Sequence, residues 1–227
     1  SACGSADVIE ALGLPIDLGP EKQADLLRDV KIAFLFAPAH HPALMHASQA
    51  RRELGVRTIF NALGPIANPA RATHQVIGVY DDALRPMLAR VLADVGCERA
   101  WIVRSEDGLD ELSPAAATRV AEVRGNDVAE RVVTVEEFGL RAAPLESIRG
   151  GTAEENARAI EALFDDAEHA ASTAVVLNAA ATLYVCGAVK TLREGADAAR
   201  DVLATRGAQA ALENWRDAAR PTIIPGP

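Results

Sequence analysis

Residues 75–103 put the strongest constraint on what this chain can fold into. Residues 75–80 (QVIGVY) are a short apolar run, 82–95 have helix-forming periodicity closed by Gly96, and 99–103 (RAWIV) are a second apolar run. Two short apolar strands separated by a helix give a β-α-β unit, which implies a sheet covered by helices. Residues 118–124, the turn Gly125-Asn126 and residues 128–134 then alternate β-branched with polar side chains. That pattern predicts an antiparallel hairpin added to the sheet. The expected fold class is α/β, with a central, mostly parallel sheet carrying an added antiparallel hairpin and flanked by helices.

Other segments extend this reading. Ser5 is expected to cap a short helix over 6–12, with Asp7 in its first turn and Gly13 after it. Pro20 opens a second helix that ends near Val30. The apolar run 32–37, closed by Pro38, reads as a buried strand, and Pro42 starts a helix that stops at Gly55. Residues 57–69 (RTIFNALGPIANP) carry two prolines and two asparagines in an apolar frame and are expected to form an ordered loop. Beyond residue 150 the chain reads as helical. Thr152 with Glu155 and Thr191 with Glu194 have the capping-box form, and Ser172 is a candidate cap for an alanine-rich helix ended by Gly187. Residues 220–227 have tail-like composition, so the domain is expected to span 1–219.

Composition excludes several functions. The 227 residues are 49% hydrophobic, enough for a sizeable core, so a disordered chain is ruled out. A net charge of −9 provides no global field for nucleic acid or an anionic membrane. No apolar stretch reads as a membrane span and no secretory signal opens the chain. Cys3, Cys97 and Cys186 match no metal-binding spacing, which fits free thiols and a cytoplasmic location. Because Ser1-Ala2-Cys3-Gly4 runs directly into a helix signal, the opening reads as the middle of a functional loop and the chain as a fragment.

The sharpest chemical feature is residues 106–111 (EDGLDE), an acidic loop directly after an apolar strand, where open α/β sheets place their sites. Mg²⁺ takes one or two carboxylates and fills its other positions with water and phosphate, so an adjacent Asp-Glu pair is enough. Read by itself, the hexapeptide also fits a solvated acidic turn. Arg51 and Arg52 could grip a carboxylate or phosphate, or form a solvated helix face. His41, followed by Pro42, fits a packed or capping residue. Gly4-Ser5-Ala6 and Arg149-Gly150-Gly151-Thr152 lie at helix starts, where free N–H groups attract anions but ordinary caps also occur. No dinucleotide fingerprint, Walker loop or nucleophile–base spacing is present, and no side chain is assigned as catalytic.

Taken in order, the segments SACGSADVIEALG, FAPAHHPALMHASQARRELGVRTIFNALGPIANP, EDGLDELS, RGGTAEENA and VLNAAATLYVCG closely resemble the anthranilate phosphoribosyltransferase family, across nearly the whole chain. The resemblance implies the large domain of the nucleoside phosphorylase and phosphoribosyltransferase superfamily. It also implies transfer of the phosphoribosyl group from phosphoribosyl pyrophosphate to anthranilate, a step in tryptophan biosynthesis, with Mg²⁺ on the polyphosphate. Carried over by motif, Asp110 and Glu111 are the Mg²⁺ ligands and Arg51 holds the anthranilate carboxylate. His41, Gly64 and Pro65 line the path of the aromatic substrate. Ser5 contacts phosphoribosyl pyrophosphate, and Ser1 ends the family's substrate-binding loop. The implied assembly is a homodimer formed through a small N-terminal helical domain.

The chain departs from the family pattern at Ala2, where the family carries Lys or Arg, and at Cys3, where it carries Ser. In the family's order, the GTGGD, Asn-x-Ser-Thr and Lys-His-Gly-Asn-Arg segments come before the position that Ser1 matches. The 227-residue chain alone is therefore expected to be inactive. Two alternatives are a nucleoside phosphorylase of the same superfamily and a non-catalytic relative that binds nucleic acid or a partner protein.

Overall fold

The computed structural model describes residues 3–40, 66 and 68–220. The chain forms two compact units. One comprises Ser1–Val56, Gly150–Asp166 and Leu203–Pro227; the other comprises Arg57–Arg149 and Ala167–Val202.

The second unit holds the sheet. Strands β1 (His74–Gly78), β2 (Arg99–Ser105), β3 (Thr118–Arg124) and β4 (Asp127–Val133) lie in the order β1-β2-β3-β4. β1 and β2 are parallel, with Gly78 opposite Val103, whereas β2–β3 and β3–β4 are antiparallel. The described sheet is thus mixed. Its parallel pair is the expected β-α-β unit and its outer pair the expected hairpin.

The crossover helix, which we label α4 (Leu84–Asp94), buries Leu88, Ala89, Leu92 and Ala93 against Ile77, Ala100, Ile102, Ala121 and Val123. These positions recur every three or four residues on the helix and every second residue on the strands, which is why both patterns were readable in the sequence. Helix α6 (Ser172–Val185) contacts β1 and β2. On that helix Tyr184 stacks against the buried ring of Trp101, with centroids 5.5 Å apart.

The first unit is helical. It contains α1 (Ser5–Ala11), α2 (Pro20–Asp29), a single turn α3 (Ala37–His40), α5 (Ala153–Asp165) and α8 (Gly207–Ala219), while most of α7 (Leu192–Ala204) belongs to the second. Leu12, Leu14, Leu26, Ala157, Leu212 and Trp215 form its core. Arg216 stitches the helices together, with Nε donating to Leu12 O (2.6 Å) and a terminal nitrogen to Glu161 Oε1 (2.6 Å).

Three local expectations are corrected. Residues 32–36 have no regular structure and α3 begins at Ala37, so the expected strand over 32–37 does not form. Ala33 and Phe34 pack on the helical core instead, and Phe34 O accepts from Gln23 Nε2 (2.8 Å). The apolarity of the run serves a helical layer, and a continuous apolar run does not by itself separate the two uses. Ser5 is the first residue of α1; the cap is Gly4, whose N–H donates to Asp7 Oδ2 (2.9 Å). Ser172 likewise lies inside α6 and its hydroxyl makes no capping bond. The two capping boxes are formed as expected. Glu155 N–H donates to Thr152 Oγ1 (3.2 Å) and Glu194 N–H to Thr191 Oγ1 (3.1 Å). The expected helix over 42–54 lies outside the described residues, as does nearly all of the expected loop over 57–69.

Candidate metal centre

The EDGLDE segment follows β2 at its C-terminal end. Ser105, the last residue of the strand, folds the loop back on itself. Its N–H donates to Leu109 O (3.0 Å) and its hydroxyl accepts from Leu109 N–H (2.8 Å). Gly108 supplies the left-handed turn this return needs, at φ +97°. The Asp107 carboxylate accepts from the hydroxyls of Ser105 and Ser113 and so closes the loop. Burial opposes its ionisation, but these hydrogen bonds prevail and hold its pKa below the ordinary aspartate value. Asp107 is therefore occupied in building the loop.

Asp110 and Glu111 are differently placed. A Cβ on Gly78 would lie 1.5 Å from the backbone oxygen of Asp110, so the bare backbone of β1 is the seat on which Asp110 rests. On the other side of the pair, Leu112 and Ser113 are each 1% exposed. Ser113 N–H donates to Thr118 Oγ1 (3.2 Å), and Leu112 is bound through both its backbone groups by Asn178 of α6. The acidic pair is thus a short exposed span between two anchored points.

The two carboxylates border a cavity of about 390 Å³, together with Val76, Gly78, Val103, Asn178 and Thr182. Glu111 has solvent-accessible surface, yet the walls of this concavity shield it. That burial, and secondarily the Asp110 charge beside it, pushes its pKa above the usual glutamate value. No arginine or lysine among the described residues pairs with either group, and no cluster of three or more His, Cys, Asp and Glu side chains able to hold a metal occurs among them.

Two adjacent hard-oxygen donors whose mutual repulsion is relieved by no cation among the described residues suit a divalent cation that keeps several waters and takes phosphate oxygens in its remaining positions. The donor set fits Mg²⁺. It is too small for a site built of protein ligands alone.

Of the other residues singled out from the sequence, Ser5 is described and is exposed at the start of α1. Ser1, His41, Arg51, Gly64 and Pro65 lie outside the described residues. Sequence reasoning missed the supporting positions Gly78 and Asn178. The signal for the second was present, because Asn178 is a lone amide in the otherwise apolar run VVLNAAA.

Residues 1–209 match the model of the glycosyl transferase family, a/b domain. The chain belongs to this family. Within it, the chain is similar to anthranilate phosphoribosyltransferases. It is 47% identical to the enzyme of Thermomicrobium roseum over 219 residues, an alignment covering 95% of this chain and 63% of that protein. The crystal structure of the Thermus thermophilus enzyme superposes with a TM-score of 0.87 at 38% identity, covering 96% of this chain and 65% of that one. The Saccharomyces cerevisiae enzyme in complex with phosphoribosyl pyrophosphate and Mg superposes with a TM-score of 0.85 at 26% identity, with 96% and 63% covered. The chain therefore spans less than two thirds of the length of these relatives. No helix among the described residues is long and apolar enough to cross a membrane, and Cys97 and Cys186 are free thiols.

Proposed function

We propose that this glycosyl transferase domain serves the transfer of the phosphoribosyl group from phosphoribosyl pyrophosphate to anthranilate, with release of pyrophosphate. The observation that carries the reading is the Asp110-Glu111 pair, set in a cavity beside the C-terminal ends of two parallel strands and left without cationic partners among the described residues. The similarity to anthranilate phosphoribosyltransferases supports it.

In this reaction the amine nitrogen of anthranilate forms a bond to C1 of the ribose as the bond from C1 to the pyrophosphate oxygen breaks. The amine proton is lost to solvent or base. Such chemistry asks the protein for orientation and for relief of charge on the leaving group. Mg²⁺, when bound, supplies that relief at the polyphosphate. Asp110 and Glu111 are the groups that would hold it, and their fixed backbone limits the reorganisation needed on binding.

By the family resemblance, Arg51 grips the anthranilate carboxylate and His41, Gly64 and Pro65 border the aromatic ring, while Ser5 and Ser1 contact phosphoribosyl pyrophosphate. Residues 1–219 would form the large-domain portion and 220–227 a tail. The protein would act in the cytoplasm, a location the free thiols of Cys97 and Cys186 suit, as a homodimer.

The test follows anthranilate fluorescence when the full encoded polypeptide is mixed with anthranilate, phosphoribosyl pyrophosphate and Mg²⁺. Loss of fluorescence that is suppressed in Arg51→Ala and in Asp110→Asn is expected. No loss at any Mg²⁺ concentration would overturn the reading, and phosphorolysis of thymidine or uridine would then identify a nucleoside phosphorylase.

A further inference from the structure

We propose that Asn178 is a positioning residue that sets where the Glu111 carboxylate stands, by tying the backbone of Leu112 to helix α6. The inference rests on the reading of Asp110 and Glu111 as a metal-binding pair.

Asn178 Oδ1 accepts from Leu112 N–H (3.1 Å) while its Nδ2 donates to Leu112 O (3.0 Å) and to Ala174 O (3.0 Å). The orientation of the amide is dictated by its surroundings. Turned over, its NH₂ would meet a donor and its oxygen would meet two carbonyls, so all three bonds would become repulsions. The third bond, to the preceding turn of its own helix, fixes the side chain before it reaches the loop. The other two close a ring with both polar groups of Leu112, the residue directly after Glu111.

This clamp joins points 66 residues apart in sequence. Together with the close approach of the Asp110 backbone to Gly78, it gives the acidic pair a packing contact at Asp110 and hydrogen bonds at Leu112. Asn178 also borders the same cavity as Asp110 and Glu111. An amide is the side chain this place requires. Aspartate could not donate to the two carbonyls, leucine could neither donate nor accept, and glutamine would be one methylene too long for the same ring. Groups that orient metal ligands without touching the metal govern affinity because a misplaced ligand must be reordered on binding.

The experiment titrates Mn²⁺, as a paramagnetic stand-in for Mg²⁺, into the full encoded polypeptide and counts free Mn²⁺ by electron paramagnetic resonance. Anthranilate affinity is read in parallel by fluorescence. Asn178→Leu and Asn178→Gln are each expected to raise the apparent Mn²⁺ dissociation constant about 10- to 100-fold while moving anthranilate affinity by less than about twofold. Far-ultraviolet circular dichroism checks folding, and Asn178→Gln, which retains polarity and helix propensity, carries the test if the leucine variant does not fold. Glu111→Gln is the reference. If Glu111→Gln leaves Mn²⁺ binding unchanged, the metal reading fails and the proposal falls with it. If Glu111→Gln weakens Mn²⁺ binding but both Asn178 variants bind it as the parent does, the metal reading stands and the positioning role is overturned. Equal loss of Mn²⁺ and anthranilate affinity in the Asn178 variants would also overturn it, by assigning Asn178 to general stability.

Discussion

Two acidic groups follow the parallel strands, and they are treated in opposite ways. After β1, Asp82 receives Arg85 at 2.9 Å and Arg119 at 3.3 Å, and Arg85, itself 6% exposed, also reaches Glu130. The hydrogen bond from Arg85 is the main reason the Asp82 pKa is lowered. After β2, Asp110 and Glu111 stand side by side with no arginine among the described residues on either, and the Glu111 pKa is raised. Both groups lie in one folded unit, at comparable places on one sheet. The difference separates, among the described residues, an acidic group whose charge is matched by arginines in the fold from one that is left for a ligand to match. Asp107 makes the same point within a single loop, since hydroxyl and backbone donors satisfy it three residues from the pair that is left open.

The contrast can be broken or sharpened by substitution. Asp110→Asn combined with Glu111→Gln should lower the Mg²⁺-dependent rate about 10³-fold, or roughly 4 kcal/mol, in the fluorescence assay. A smaller loss than about tenfold would mean that the uncompensated pair is not the metal site. Gly78→Ala drives a methyl into the Asp110 backbone and should cost about 2–3 kcal/mol of stability by urea unfolding, with weaker Mn²⁺ binding in the folded protein.

Asp107→Ala should destabilise by about 1 kcal/mol at neutral pH. Because the folded-state pKa of Asp107 is lowered, its contribution is fully present above the ordinary aspartate value of about 4 and is lost as pH falls through the lower folded value. Parent and variant unfolding curves should therefore converge in strong acid. The smallest effect is expected for Asp82→Asn, within about 1 kcal/mol because the ion pairs are partly solvated. Its Mg²⁺ dependence should match the parent's, and a changed Mg²⁺ requirement would erase the distinction between the two groups.

The parts of the fold that were legible in the sequence are those whose signals are local. The β-α-β unit was readable because Leu88 and Leu92 repeat at helical spacing, and the hairpin because β-branched residues alternate around Gly125-Asn126. The capping boxes at Thr152 and Thr191 formed because donor and acceptor lie three residues apart. Local signals also misled. Residues 32–36 are apolar for the sake of a helical core, and strand periodicity cannot be read from so short a run. Ser5 looked like a cap, but Gly4 takes the cap position and Asp7 accepts from its N–H.

The candidate site divides along the same line. The sequence alone offered the candidates for a cation site, because adjacent carboxylates after an apolar strand are chemistry written in neighbouring positions, and the family resemblance singled out Asp110 and Glu111 among them. It could not decide which of the acids in residues 106–111 is consumed internally, since that depends on Ser113 folding back onto Asp107. Nor could it reveal that Gly78 seats the pair or that Asn178 anchors it, because those contacts join strand, loop and helix across tens of residues. Covalent order fixes what stands beside what along the chain, whereas burial, cancellation of charge and the clamping of a loop arise only when distant segments share one space.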